Sequence, residues 1–385
     1  MRPLATAAGG LKVFSGLPRT HWAVLGLVSM LCCIGIATLY SVEGGSFQPW
    51  AERHGLRFLV GLGCIFIMLA VPAAAWFRLA VPAYLAALVL LMLVPVLGSQ
   101  ALGARRWLDF GFVSFQPGEV MKVALVLMLA AYYQWLPRQR VSDPFWVALP
   151  VLLIAVPAVF TLRQPDLGSA LLYASTGLGI MFLAGVSVLY FAGGAVLFAA
   201  AFPLIWSSLR DYQRRRIEVF LDPGSDPLGA GYHIQQSKIA LGSGGVSGTG
   251  YMKGSQSQLD FLPEKHTDFA FTMFAEEWGF AGAVGLLALQ AALVFVLWQI
   301  MMTAGSAFAR LLAAGAALTI FLYAVVNAAM VTGLVPVVGV PMPFVSYGGT
   351  SMLSLMAALG LALSAAGDRG VAGAGRGLTG RGEFT

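Results

Sequence analysis

Residues 22–39 read WAVLGLVSMLCCIGIATL, and residues 79–97 read LAVPAYLAALVLLMLVPVL. Neither stretch carries a charged side chain. Each matches the thickness of a bilayer core, which a helix crosses with about 18 or more apolar residues. A chain in hydrocarbon must satisfy its own backbone hydrogen bonds, so these runs read as helices. Runs of the same kind recur along the sequence, at about 22–41, 56–72, 77–97, 118–136, 146–162, 168–185, 188–208, 268–301, 308–335 and 347–366. The last three are long or broken by Gly and Pro, and are expected to tilt or to extend beyond the bilayer. The fold class expected is an all-α polytopic membrane protein with about ten transmembrane helices and one large outer loop.

Composition leads the same way. Apolar residues make up 58% of the 385 positions and charged residues only 10%, against about 25% charged in a soluble domain. Mean hydropathy is +0.81. Too few polar side chains exist to coat a globule, which excludes a soluble enzyme and a nucleic-acid binder. The first run is long enough to span and lacks a small-residue cleavage site, so it reads as a retained first helix. Cys32, Cys33 and Cys64 fall inside spans and read as small buried hydrophobes, with no zinc spacing or disulfide framework.

Lys and Arg in the short loops set the orientation. With the N-terminus inside, the inner segments hold Arg2, Lys12, Arg19, Arg78, Arg138, Arg140, Arg310, Arg369, Arg376 and Arg381, and the outer short loops only Arg53, Arg57, Arg105, Arg106 and Arg163. Both termini are therefore expected in the cytoplasm. Residues 1–20 form an N-terminal segment, 21–366 the membrane domain with a large outer loop at 210–267, and 367–385 a Gly-rich basic tail expected to be disordered and to touch anionic lipid weakly. No internal repeat supports an inverted-repeat transporter.

Ionisable groups at the edge of a membrane are functional candidates. LDFLPEKHTDFAFTMFAEEWG at 259–279 crowds Asp260, Glu264, Lys265, His266 and Asp268 where the eighth span begins. Asp268 is expected in the first helical turn, where capping competes with catalysis as its role. Glu276 follows about two turns later, near the same face. GARRWLDFGFVSFQPGEVMK at 103–122 places Glu119 and Lys122 one helical turn apart, a spacing for a structural ion pair, and Arg105 and Arg106 beside Trp107. LRQPDLGSA at 162–170 sets Arg163 and Asp166 around a turn. VPVVGVPMPFVSYGGTSM at 335–352 is too rich in Pro and Gly for a helix, so it is expected to line a cavity. GSGGVSGTG at 242–250 could wrap a phosphate, although it lacks a nucleotide-loop ending, and a flexible hinge explains it as well. His21, His54 and His233 are scattered without ligand spacing, so no metal site is assigned. Cations, a carboxylate and a cavity suit a phosphorylated, lipid-linked substrate.

YHIQQSKIALGSGGVSGTGYMKGSQSQLDFLPEKHTDFAF at 232–271, FQPGE at 115–119, RQPDLGSA at 163–170 and PFVSYGGTS at 343–351 together resemble the SEDS family (shape, elongation, division and sporulation) across residues 20–366. The SQLDFLPE wording and short N-terminus look more like the elongation type than the division type. The resemblance implies a peptidoglycan glycosyltransferase of the bacterial inner membrane that polymerises lipid II on its periplasmic face and releases undecaprenyl diphosphate. It also implies a class B penicillin-binding protein and the cell-elongation complex as partners. It assigns the essential acid of the HTDF motif to Asp268, the Glu–Lys pair to Glu119 and Lys122, and the Arg-Trp before it to Arg106 and Trp107. Two positions depart from the family: Gly118 stands where Ser is usual, and Ala270 where many members have Ile.

The implied chemistry is an inverting transfer with Asp268 as general base. Arg106 and Arg163 are the first choices to hold the diphosphate, with Arg210, Lys238 and Lys122 as further candidates. Glu264, His266 and Glu276 complete the expected surroundings. A divalent cation is the one cofactor left open. A precursor flippase using the same cavity, and a non-enzymatic scaffold, are the alternatives.

Overall fold

The computed structural model describes residues 17–367 other than 102, 103, 110, 112, 113, 210, 227, 228 and 260. Arg210, Asp260 and the Gly-rich tail lie outside the described residues.

Long apolar helices dominate, as the hydropathy requires. They are α1 (Arg19–Val42), α2 (Trp50–Ala70), α3 (Ala73–Leu97), α4 (Pro117–Trp135), α5 (Pro144–Arg163), α6 (Leu167–Ala184) and α7 (Val188–Ser208). After two shorter helices, α8 (Asp211–Leu221) and α9 (Ala230–Ser243), come α10 (Ala270–Thr303), α11 (Ala307–Val331) and α12 (Gly349–Gly367). Every expected span coincides with one helix to within a few residues. Among the described residues, eight helices are long and apolar enough to cross a membrane. The two that fall short are α4 and α7. α4 carries Glu119 and Lys122 and is buried on nearly every face, so neighbouring helices, not lipid, surround its charges. α7 is apolar over Val188–Leu204 and exposed along most of that length.

Two apolar cores hold the bundle. One joins α1, α10, α11 and α12 with Val338, Val340, Phe344 and Val345 of the segment before α12. The other joins α3, α4, α6 and the start of α11. One end of the bundle carries a feature that hydropathy did not predict. A small antiparallel sheet runs β1 (Ser99–Ala101), β2 (Ala104–Asp109), β3 (Ser114–Phe115). Leu108 pairs with Phe115, and Trp107 with Ser99. Two- to six-residue strands have too little length for periodicity to signal. Cys32 is buried as expected, but Cys33 faces outward from α1.

The Gly-rich segment is neither a hinge nor a phosphate cradle. It is stitched to a break inside α10 at Gly279, where φ is 67° and ψ −168°. Thr249 N–H donates to the Glu276 carbonyl at 3.0 Å and Gly250 N–H to that of Glu277 at 3.0 Å. Phe280 N–H donates back to Gly245 at 2.9 Å and Ala281 N–H to Val246 at 3.1 Å. A break at membrane depth orphans backbone groups, and this segment satisfies them. A Cβ at Gly248 would lie 2.0 Å from the Glu277 carbonyl oxygen, so the close approach requires glycine.

Candidate active site

The ends of several elements converge on Asp268. Asp268 precedes α10 by two residues and belongs to the turn before it, not to its first helical turn. Asn327 of α11 fixes this turn: its buried amide donates to the Asp268 carbonyl at 2.9 Å and to the Val340 carbonyl at 2.7 Å. One side chain thus ties the acidic turn to the Pro/Gly-rich segment. Gly339 in that segment has φ +73°, and a Cβ there would sit 3.3 Å from Asp268 Oδ2. The Pro/Gly-rich segment expected at 335–352 thus packs against the carboxylate through Gly339.

Charges of both signs surround Asp268. Burial pushes its pKa up to about 7, Glu264 and Asp166 push the same way, and Arg216 and Arg106 oppose them. Each neighbour is held by the fold. Glu264 accepts from the Thr267 hydroxyl at 2.7 Å. Asp166 caps α6 by accepting from Ser169 N–H at 3.1 Å, and takes the Gln116 amide at 3.0 Å. It therefore has a defined structural role at the turn, beyond any pairing with Arg163. Successive residues of a strand point to opposite faces. On β2, half-buried Arg106 turns inward and donates to the Pro165 carbonyl, while exposed Arg105 donates to Pro95 at 3.3 Å. Arg216 of α8 donates to the Val337 carbonyl at 2.9 Å.

The other expected residues are dispersed. Trp107 is half-buried in β2. Arg163 ends α5 on an exposed face, while Arg216, which the sequence reading did not single out, acts on Asp268 together with Arg106. Lys238 is exposed on α9, its chain lying across Gly333 at the end of α11. Glu276 faces the Gly-rich side instead of Asp268: its buried carboxylate accepts from Ser255 Oγ at 3.0 Å and Gln256 N–H at 3.1 Å. Asp268 lies before the helix begins at Ala270, so the two residues do not share one helical face. Glu119 and Lys122 form the expected ion pair at 2.7 Å, fully inside the bundle. Tyr323 donates to Glu119 Oε2 at 2.9 Å and Ser354 donates at 3.0 Å.

His266 is held between Glu43 and Trp50. It pairs with Glu43 at 2.5 Å and stacks on Trp50, ring centroids 4.7 Å apart. Its carbonyl accepts from Tyr347 N–H at 2.8 Å, and Arg57 sits 4.4 Å over the Tyr347 ring. Sequence reasoning missed Arg216, Asn327, Gly339, Glu43 and Tyr347 as site residues. Asn327 alone carried a clear signal, a lone amide in an apolar helix. Among the described residues, no group of three or more His, Cys, Asp and Glu is placed to hold a metal ion.

The chain matches known proteins over nearly its whole length. Residues 17–369 match the FtsW/RodA/SpoVE family, described as cell cycle protein. The peptidoglycan glycosyltransferase MrdB of Escherichia coli K12 is 44% identical over 356 residues, covering 90% of this chain and 95% of that one. MrdB of Helicobacter pylori J99 is 34% identical over 340 residues, 87% of each. A probable FtsW of Thiomicrospira cyclica is 36% identical over 349 residues, 88% of this chain and 89% of that one. Among solved structures, RodA of Thermus thermophilus superposes with a TM-score of 0.68 at 30% identity, covering 91% and 97% of the two chains. A chain from a peptidoglycan synthase complex that coordinates polymerization and crosslinking gives 0.79 at 33% identity, covering 91% and 98%. The chain belongs to the FtsW/RodA/SpoVE family, the SEDS proteins of the bacterial inner membrane. Within it the chain is of the RodA type, a peptidoglycan glycosyltransferase.

Proposed function

We propose that the protein polymerises lipid II into β-1,4 glycan strands during cell elongation, with Asp268 as general base. The GlcNAc 4-hydroxyl of the acceptor gives its proton to Asp268. Its oxygen forms a bond to the anomeric carbon of the donor MurNAc, and the bond from that carbon to undecaprenyl diphosphate breaks. The electron pair leaves on the diphosphate, so an α linkage becomes β.

The observation that carries this reading is the Asp268 carboxylate, raised to about 7 by burial and by Glu264, with Arg106 and Arg216 acting on it. A base whose pKa lies near the working pH combines availability with basicity. Diphosphate is a good leaving group that needs cations more than a proton, and the two arginines supply them. A glycosidase needs a second carboxyl because a sugar alkoxide must be protonated. Trp107, Arg163 and Lys238 are assigned to more distant parts of the substrate, Glu264 and His266 to shaping the turn.

The proposal includes a periplasmic active face, both termini in the cytoplasm, a class B penicillin-binding partner and the rest of the elongation complex. Arg216→Gln tests the cation's role. Purified variant should polymerise lipid II about 10²–10³-fold more slowly, while Arg215→Gln, whose residue pairs at the surface with Asp226, should not. Equal rates for Arg216→Gln and wild type would remove Arg216 from the site.

A further inference from the structure

At the end of the bundle opposite Asp268 lies a cavity of about 700 Å³ between the ends of α4, α6 and α10 and the start of α11. α4, α6 and α10 all begin near Asp268, so their far ends place this cavity a full bundle length from it. Arg138 and Arg310 line it, with Gln134, and Leu183, Met301 and Leu311 form apolar wall. Among the described lining residues none is acidic.

Three features point to an anion with an apolar attachment. First, α11 begins here: Ser306 caps it by accepting from Ala309 N–H at 3.2 Å, and Gln134 Oε1 accepts from Phe308 N–H at 2.9 Å. The positive end of a 25-residue helix therefore opens on the cavity. Second, Arg310 stands at the first turn of that helix, where the dipole repels a cation; a bound anion would neutralise both. Third, the rim is apolar. Leu183 lines the cavity and is exposed, and its chain neighbour Phe182 and Met302, beside the lining residue Met301, are exposed as well. A soluble anion gains nothing from such walls, but a lipid's glycerol and upper chain do.

We propose that this cavity binds the phosphodiester headgroup of an anionic phospholipid, with Arg138 and Arg310 on the phosphate. Two basic side chains in a crevice between membrane helices fit such a headgroup. Neither Asp268 nor the polymerisation chemistry enters, so this proposal and the proposed function fail separately.

Native mass spectrometry of the full detergent-solubilised chain tests it, with dioleoyl phosphatidylglycerol, dioleoyl phosphatidylcholine or inorganic phosphate added. Wild type should retain phosphatidylglycerol and shed phosphatidylcholine. Arg138→Gln/Arg310→Gln should weaken phosphatidylglycerol retention about 10- to 30-fold. Leu183→Trp, which fills the cavity and keeps both arginines, should do the same. Arg78→Gln, an exposed arginine away from the cavity, should change nothing. Retained lipid II polymerisation shows that each variant is folded. Equal retention of the two lipids by wild type, or unchanged retention in both cavity variants, would overturn the proposal. Displacement of the lipid by millimolar inorganic phosphate would overturn it too, and would assign the cavity to a soluble phosphate compound.

Discussion

Asp268 sits in surroundings that oppose its charge, and this has two consequences with opposite pH signs. Burial and the neighbouring Glu264 raise its pKa to about 7. As a base it must be deprotonated, so kcat/KM for lipid II polymerisation should rise through about pH 7 and level off above it. For stability the unfolded carboxyl, with a pKa of 3.8, loses its proton well before the folded one. Between those two values the folded state binds more protons, so this group's stabilising contribution is present in acid and lost as pH rises through about 7. Melting curves of wild type and Asp268→Asn should therefore diverge on going from pH 4.5 to 7.5, with the variant gaining on the wild type. Gly339 adds a second test. Its φ of +73° and its approach to Asp268 Oδ2 disfavour any side chain; Gly339→Ala should cost about tenfold or more in kcat with the protein still folded, read by steady-state polymerisation. Asp268 and Glu264 were legible in the sequence as a charged cluster at the start of an apolar span, and Arg106 through the resemblance; the structure sets Glu264 and Arg106 among the charges acting on Asp268. Arg216 was not legible, because the sequence offers Arg210, Arg214, Arg215 and Arg216 together, and the fold of residues 210–267 decides which one returns to the acid. Arg163 looked equivalent to Arg106, but it closes a helix on an exposed face, whereas strand alternation turns Arg106 inward.

At the scale of elements, helix positions followed from hydropathy, and the exceptions have local causes. The break in α10 is one. Its repair depends on a partner segment more than twenty residues upstream, which no helical periodicity encodes. Gly248→Ala should destabilise the fold by about 1–3 kcal/mol, because φ is +84° and the new methyl would meet the Glu277 carbonyl; thermal melting in detergent reads this directly. Glu276 departs from the Asp268 face because Asp268 lies in the turn before α10, outside the helical periodicity. The ion pair in α4 was readable from its spacing, but its tyrosine and serine partners were not, since they come from α11 and α12. Removing one partner of a buried pair leaves an uncompensated charge. Lys122→Met should cost about 3–5 kcal/mol, and Glu119→Gln/Lys122→Met should recover part of it. A double variant no more stable than the single would show that the pair contributes little. At Gly118 a Cβ would sit 3.2 Å from the Tyr173 hydroxyl, which donates to the Gly118 carbonyl at 2.7 Å and ties α6 to α4.

For the whole molecule, composition alone pointed to a membrane bundle, and the order of Lys and Arg along the chain predicts its direction. The class of substrate could be argued from cations, a carboxylate and a helix-breaking segment at one end. The reaction itself came from resemblance, because nothing in spacing distinguishes a polymerase from a flippase that uses the same cavity. The geometry around Asp268 favours chemistry over transport, since the acid is pinned by Asn327 and lies between cations at one end of the bundle. The decisive measurement is lipid II polymerisation by purified wild type and Asp268→Asn, with and without the cognate penicillin-binding protein. Glycan from the wild type and none from a well-folded variant is the expected result. Equal product from both would contradict the assignment of Asp268 as the base, and no product from either, even with the partner, would contradict the polymerase reading itself.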